Sequence, residues 1–74
     1  MPLNLAKTDM TYIVQKLCGK ETERHHLSTL GFTPGCEIRV LSKLSGYYVV
    51  LLKGSKIGLE QRLAQKIIIT EAAI

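Results

Sequence analysis

Four residues carry the thiol and imidazole side chains that soft and borderline metals prefer: Cys18, His25, His26 and Cys36. Thiolates and imidazoles are the ligands that zinc and other borderline metals prefer. Their spacing matches no paired-cysteine zinc motif, and neighbouring residues on a helix diverge by about 100°. His25 and His26 therefore do not converge on one ion. The plain reading is two small buried cysteines and two surface histidines. These four stand as weak candidates for adventitious divalent metal, and no cofactor is required. Other reactive sets are missing too. The acidic residues are scattered and Asp9 is the sole aspartate. Hydrolytic chemistry needs convergent groups in a cleft, and Ser28, Ser42, Ser45 and Ser55 have no evident base. Neither GxxxxGK[ST] nor GxGxxG occurs, so nucleotide hydrolysis by this chain is not expected. No Trp is present to line a groove for Pro-rich peptides. The chain does not read as an enzyme.

The bulk properties point to one small domain spanning residues 1–74. A core of this size supplies about 3–5 kcal/mol, so a partner or a second copy matters to stability. Hydrophobic residues make up 46% of the chain and aromatics 5%, so Leu, Ile and Val must build the core. The formal charge of +4 is compatible with nucleic acid or an acidic protein surface. The lysines are scattered, however, and nucleic acid is the less favoured partner. Two cysteines without a secretory leader fit a reducing, cytoplasmic setting. No apolar run approaches the ~20 residues that span a bilayer, so no direct membrane insertion is expected.

The chemistry-bearing residues must be positioned by short elements. Leu3, Leu5 and Ala6 read as an apolar tether over the core. Thr11 to Leu17 is rich in β-branched and aromatic residues and predicts a strand. Thr22 to Leu30 predicts a helix capped by Thr22, with Leu27 and Leu30 inward and Arg24, His25 and Ser28 in water. Gly31 is its αL stop, and Thr33-Pro34-Gly35 is turn chemistry. Cys36, Ile38 and Val40 alternate with Glu37 and Arg39, predicting a strand over 37–44. Ser45-Gly46 turns the chain into a returning strand, Tyr47 to Lys53. Gly54-Ser55 turns it again into Lys56 to Leu59. A helical turn over 60–65 puts Leu63 and Ala64 inward. Ile67 to Thr70 is the last strand and 71–74 a tail. Five short strands, a helix between the first two and a helical turn before the last predict a mainly β, strongly bent sheet closing on itself. Closure would remove the sheet's edges.

The stretch YYVVLL is apolar on both faces. Tyr48, Val50 and Leu52 point inward, so Tyr47, Val49 and Leu51 point outward. Three readings remain open: the helix or the tether covers that outer face, it is an exposed patch for a partner or a second copy, or it meets lipid or the register differs.

Residues 24–40, RHHLSTLGFTPGCEIRV, resemble the signature of the FeoA family, ferrous iron transport protein A. Members run a short basic helix into Leu-Gly-hydrophobic, here Leu30-Gly31-Phe32. Thr33-Pro34-Gly35 and an alternating strand follow. The likeness extends from Leu3 to Thr70 through Val50, Leu52, Gly54, Ile57, Leu59, Ala64 and residues 67–69. Asp9 stands where a turn glycine is common, His26 where an arginine is, Ser28 where a leucine is, and Glu60-Gln61 replaces a stretch often basic. The resemblance implies an SH3-like barrel and a cytoplasmic accessory of ferrous iron uptake, peripheral to the inner membrane through its partner. That partner would be FeoB, a permease with a cytosolic G-protein domain. A transition-metal link and a homo-oligomer are compatible with it.

The leading reading is therefore protein–protein interaction through Tyr47, Val49 and Leu51, with Arg24 and His25 on the helix flank. The alternative is a small-barrel nucleic-acid binder using Lys43, Lys53 and Lys56 on one rim. Direct metal carriage by Cys18, His25, His26 and Cys36 is the third.

Overall fold

A computed structural model describes residues 1–72. Five antiparallel strands form one sheet: β1 (Thr11–Leu17), β2 (Glu37–Leu44), β3 (Tyr47–Leu52), β4 (Ser55–Glu60) and β5 (Ile67–Glu71). Their order is β4-β3-β2-β1-β5. Helix α1 (Glu21–Leu30) links β1 to β2, and the one-turn α2 (Gln61–Ala64) links β4 to β5. The architecture is the one expected, mainly β with the helix and the helical turn in their predicted places.

The alternation of β-branched and polar residues sets the register. Tyr12, Val14, Ile38, Val40, Tyr48, Val50, Leu52, Leu59, Ile67 and Ile69 all face one buried core. Ile38 opposes Leu52 and Val40 opposes Val50, so the inward rows of β2 and β3 interleave. One residue added to β2 between Val40 and Ser42 shifts the pairing and bends the sheet. The phenol of Tyr12 is also buried, and its hydroxyl accepts the Lys7 N–H at 3.0 Å.

Helix α1 ends as its sequence demands. Gly31 adopts φ 108°, its N–H reaches the Ser28 carbonyl, and the Phe32 N–H reaches Leu27 O at 3.1 Å. This paired closure brings Leu27 and Phe32 together, and both are fully buried. Leu30 is half-buried against the same cluster. The helix start differs from expectation. It begins at Glu21 after Lys20, and Thr22 lies inside the first turn. Gly19, at φ 98°, turns the chain early, and Glu23 Oε1 accepts the Lys20 N–H at 2.9 Å. A carboxylate reaching back three residues replaces the threonine cap.

Other departures have local causes. Leu5 is 62% exposed whereas Leu3 and Ala6 are fully buried. Residues 3–5 form a 3-10 turn, which places residues three apart on one side and turns Leu5 away. Strand β3 ends one residue early because Lys53 and Gly54 take φ 51° and 80°. Positive φ at both central residues is the signature of a I′ hairpin turn. Glu71 belongs to β5, while residues 73 and 74 of the expected tail lie outside the described residues.

The sheet does not close by a ladder, and this corrects the expectation that its edges vanish. Among the described residues β4 and β5 are not paired; α2 crosses between them. The outer edge of β5 is covered by the N-terminal segment, through a Pro2–Ile68 bridge and a bond from Ile69 N–H to Met1 O at 2.7 Å. Among the described residues, the outer edge of β4 has no such cover.

Candidate interaction surface

The outward face of β3 is shaped by its two neighbours. Tyr47 sits between Leu44 and Glu60, Val49 between Ser42 and Gly58, and Leu51 between Arg39 and Lys56. Among the described residues, neither α1 nor the N-terminal 3-10 turn packs broadly against β3. Its cover comes from within the sheet. The Tyr47 ring lies over Gly58, and a Cβ built there would land on the Tyr47 hydroxyl. Val49 and Leu51 are half-buried. Arg39 and Lys56 are the cross-strand neighbours of Leu51, and the Arg39 guanidinium donates to Thr11 Oγ1 at 2.9 Å.

The most exposed apolar pair is Leu44, at 63%, and Tyr47, at 45%. They oppose each other across the two-residue Ser45-Gly46 turn. Sequence reasoning passed over Leu44 because it closes a strand pattern. Its direct pairing with Tyr47 across so short a turn was the available signal.

Two grooves mark the surface, and only the first borders the outward face of β3, at its Leu51 end. One, of about 440 Å³, has Leu51 and Ile38 in its lining, with Arg39, Lys53 and Cys36 around them. The second, of about 800 Å³, runs between β1 and α1 and is lined by Lys16, Leu17, Arg24, His25 and Pro34. The grooves share no lining residue. Leu51 thus belongs to one surface, and Arg24 with His25 to another.

Cys36 and Cys18 are free thiols, both half-buried where full burial was expected. Cys36 Sγ lies 2.9 Å from Thr33 Oγ1 and 3.6 Å from the Gly31 carbonyl. The Thr33 hydroxyl and then the Thr33 backbone hold the Cys36 thiol below its ordinary pKa, with nearby Lys53 adding to the effect. His25 and His26 are exposed. Among the described residues no three His, Cys, Asp or Glu side chains gather as a metal site would require.

The three lysines of the nucleic-acid reading do not share a rim. Lys43 opposes Tyr48 near one end of β3, with Nζ over that ring and 3.2 Å from the Asn4 carbonyl. Lys53 lies past the other end of β3, about 17 Å away along an extended strand.

A small bent antiparallel sheet with a helix between β1 and β2 and an apolar ridge on its outward face is the build of a FeoA domain, a non-catalytic accessory domain. The chain belongs to the FeoA family, whose domain model matches residues 1–71. Its fold is similar to a crystallised iron uptake regulatory protein, FeoA, with 25% identity, 97% of each chain covered and a TM-score of 0.90. It is also similar to the apo manganese-activated repressor ScaR, with 27% identity over 97% of this chain and a TM-score of 0.87. Only 35% of ScaR is covered, so the likeness is to one part of that repressor. The FeoA protein from Chlorobium tepidum shares the fold with a TM-score of 0.83 at 20% identity, over 99% of this chain and 71% of that one. No curated protein matches the chain. The function is thereby placed with iron transport, the SH3-like fold is that of the family, and no described helix is long and apolar enough to cross a membrane.

Proposed function

We propose that this chain promotes or regulates ferrous iron uptake by binding the cytosolic part of the FeoB permease. It would act in the cytoplasm, held at the membrane through that partner. The observation that carries the reading is the Leu44–Tyr47 ridge, a cross-strand apolar pair left exposed in a protein of the FeoA family. Val49 and Leu51 extend the ridge toward the groove that holds Arg39 and Lys53. Exposed large hydrophobics that sit together mark contact surfaces more often than scattered ones do. Arg24 and His25 lie on the separate α1 groove and are not part of this ridge.

The test is capture of the chain by the FeoB cytosolic domain, with and without guanine nucleotide. The variants are Leu44→Asp, Tyr47→Asp and the double variant Val49→Glu/Leu51→Glu. Loss of capture by these folded variants, with retention by Arg24→Ala, assigns the contact to the ridge. Undiminished capture by all three overturns that surface.

A further inference from the structure

We propose that β4 is a self-pairing edge, and that two copies of this chain join antiparallel through β4 about Gly58. The two end strands of the sheet are treated differently. The N-terminal segment covers β5, and nothing among the described residues covers β4. The backbone groups of β4 that point outward follow from the register. Gln61 N–H bonds to Gly46 O at 3.0 Å, which makes 46 and 61 a hydrogen-bonded pair. In an antiparallel ladder these alternate with non-bonded pairs. Tyr47–Glu60, Val49–Gly58 and Leu51–Lys56 are therefore non-bonded. The N–H groups of Lys56, Gly58 and Glu60 point away from β3, and all three residues are exposed.

The occupant is argued from charge. The sequence of β4 is SKIGLE. Laid antiparallel on itself about Gly58, it sets Lys56 opposite Glu60 of the second copy, Ile57 opposite Leu59 and Gly58 opposite Gly58. The Lys56–Glu60 ion pair occurs twice by symmetry, and an isologous contact of this kind closes at two copies. An uncovered edge bearing lysine normally repels another strand. Here the same lysine meets a carboxylate. The outward groups fall into register with this pairing. Gly58 N–H meets Gly58 O in both directions, and Glu60 N–H meets Lys56 O in both directions. The Glu60 side chain is available, since its contact with Arg62 is a 3.9 Å pair between largely exposed groups. Gly58 has no Cβ, and the Tyr47 ring lies over it, so the two Tyr47 hydroxyl ends come to the seam without a clash at the glycines. A single strand pair buries less than the ~800 Å² per partner of a stable complex, so the dimer is weak and exchanges quickly.

Sedimentation velocity of the whole chain at low salt, from about 10 µM to about 1 mM, reads the association. Amide exchange at Gly58 over the same range reads the strand. The expected result is a concentration-dependent dimer with Gly58 protected only at high concentration. Lys56→Glu and Glu60→Lys should each weaken the dimer by at least about tenfold, since like charges then face each other twice. An equimolar mixture of these two variants should recover association, as should the double variant Lys56→Glu/Glu60→Lys. Recovery on mixing also excludes misfolding as the cause of the single-variant loss. A chain monomeric throughout overturns the proposal. So does a dimer indifferent to both single reversals, or a Gly58 amide that exchanges equally fast at every concentration.

Discussion

The Tyr47 ring lies across Gly58, one strand over and diagonal to its own cross-strand partner Glu60. The glycine removes the one side chain that would hold the ring off the sheet. The ring in turn covers backbone that glycine leaves bare, an arrangement known to compensate for glycine in strands. Gly58→Ala should therefore displace the ring rather than break the strand. Tyr47 is 45% exposed and free to swing outward. Alanine also recovers some of the strand stability that glycine forfeits, so the net change should stay within about 1 kcal/mol. Tyr47→Ala should cost about 0.5–1 kcal/mol in the native background and close to nothing beside Gly58→Ala. A double-mutant cycle by urea denaturation measures this, and additive effects would refute the coupling.

Gly31 and Gly35 separate backbone strain from crowding. Both sit at positive φ, 108° and 94°. A Cβ at Gly31 would lie 3.2 Å from Leu52 Cδ2, whereas one at Gly35 meets nothing within 4 Å among the described residues. Alanine at either position carries the left-handed penalty of about 1–2 kcal/mol. Gly31→Ala must also push back Leu52, which is almost fully buried. It should be the more destabilising of the two, by about 1 kcal/mol or more. Chemical denaturation of the two variants makes the comparison. Equal losses would mean that Leu52 yields freely.

Glu23 links helix capping to pH. The Lys20 N–H bond, more than any other influence, lowers its pKa below 4.5, and Lys66, Arg62 and Lys20 add to this. A carboxyl with a depressed folded pKa stabilises the fold fully above its unfolded pKa. That stabilisation is lost as pH falls through the folded value. The melting temperature of Glu23→Ala should therefore lie below that of the native chain at neutral pH. The gap should narrow once the pH drops beneath the ordinary carboxyl range. A gap of constant size would show that the ionised carboxylate is not what closes the helix start.

Cys36 should react as a thiol tuned by one hydroxyl. The 2.9 Å contact with Thr33 Oγ1 favours the thiolate, and only the thiolate is alkylated. Thr33→Val keeps the shape and removes the hydroxyl. The pH midpoint for alkylation of Cys36 should rise in that variant, and its rate at neutral pH should fall. Mass-resolved iodoacetamide labelling distinguishes Cys36 from Cys18. An unmoved midpoint would transfer the effect to the Thr33 backbone or to Lys53.

Much of this was readable from residue types. Strand alternation gave the inward rows of β2 and β3, and Leu27, Gly31 and Phe32 announced the helix closure. The errors cluster where one residue's backbone angle decides the outcome. Gly19 starts α1 early and hands its cap to Glu23, which a search for Ser or Thr caps does not register. The 3-10 turn rotates Leu5 outward, although its hydrophobicity argued for burial. Closure of the sheet was inferred from strand number, but pairing of end strands depends on bend and tilt, which periodicity does not encode. The site was less legible still. Outward-facing Tyr47, Val49 and Leu51 followed from alternation. The cover by Tyr47 over Gly58, the exposure of Leu44 and the assignment of Leu51 and Arg24 to different grooves are all properties of the third dimension.

Lys53 shows how a misplaced boundary becomes a lever on stability. It was expected to end β3, but it is the first central residue of a I′ turn at φ 51°, beside Gly54 at 80°. A lysine in the left-handed region is uncommon, whereas asparagine enters it readily and Asn-Gly is the preferred pair for such a turn. Lys53→Asn should stabilise the hairpin by about 0.5–1 kcal/mol. It also removes a charge that helps lower the pKa of Cys36, so alkylation of that thiol should slow slightly. Denaturation and labelling of the same variant test both consequences. A gain in stability with unchanged labelling would leave Thr33 as the sole control on Cys36. A loss of stability would mean that the lysine stem contributes packing against the groove near Leu51 that outweighs the relief of its backbone.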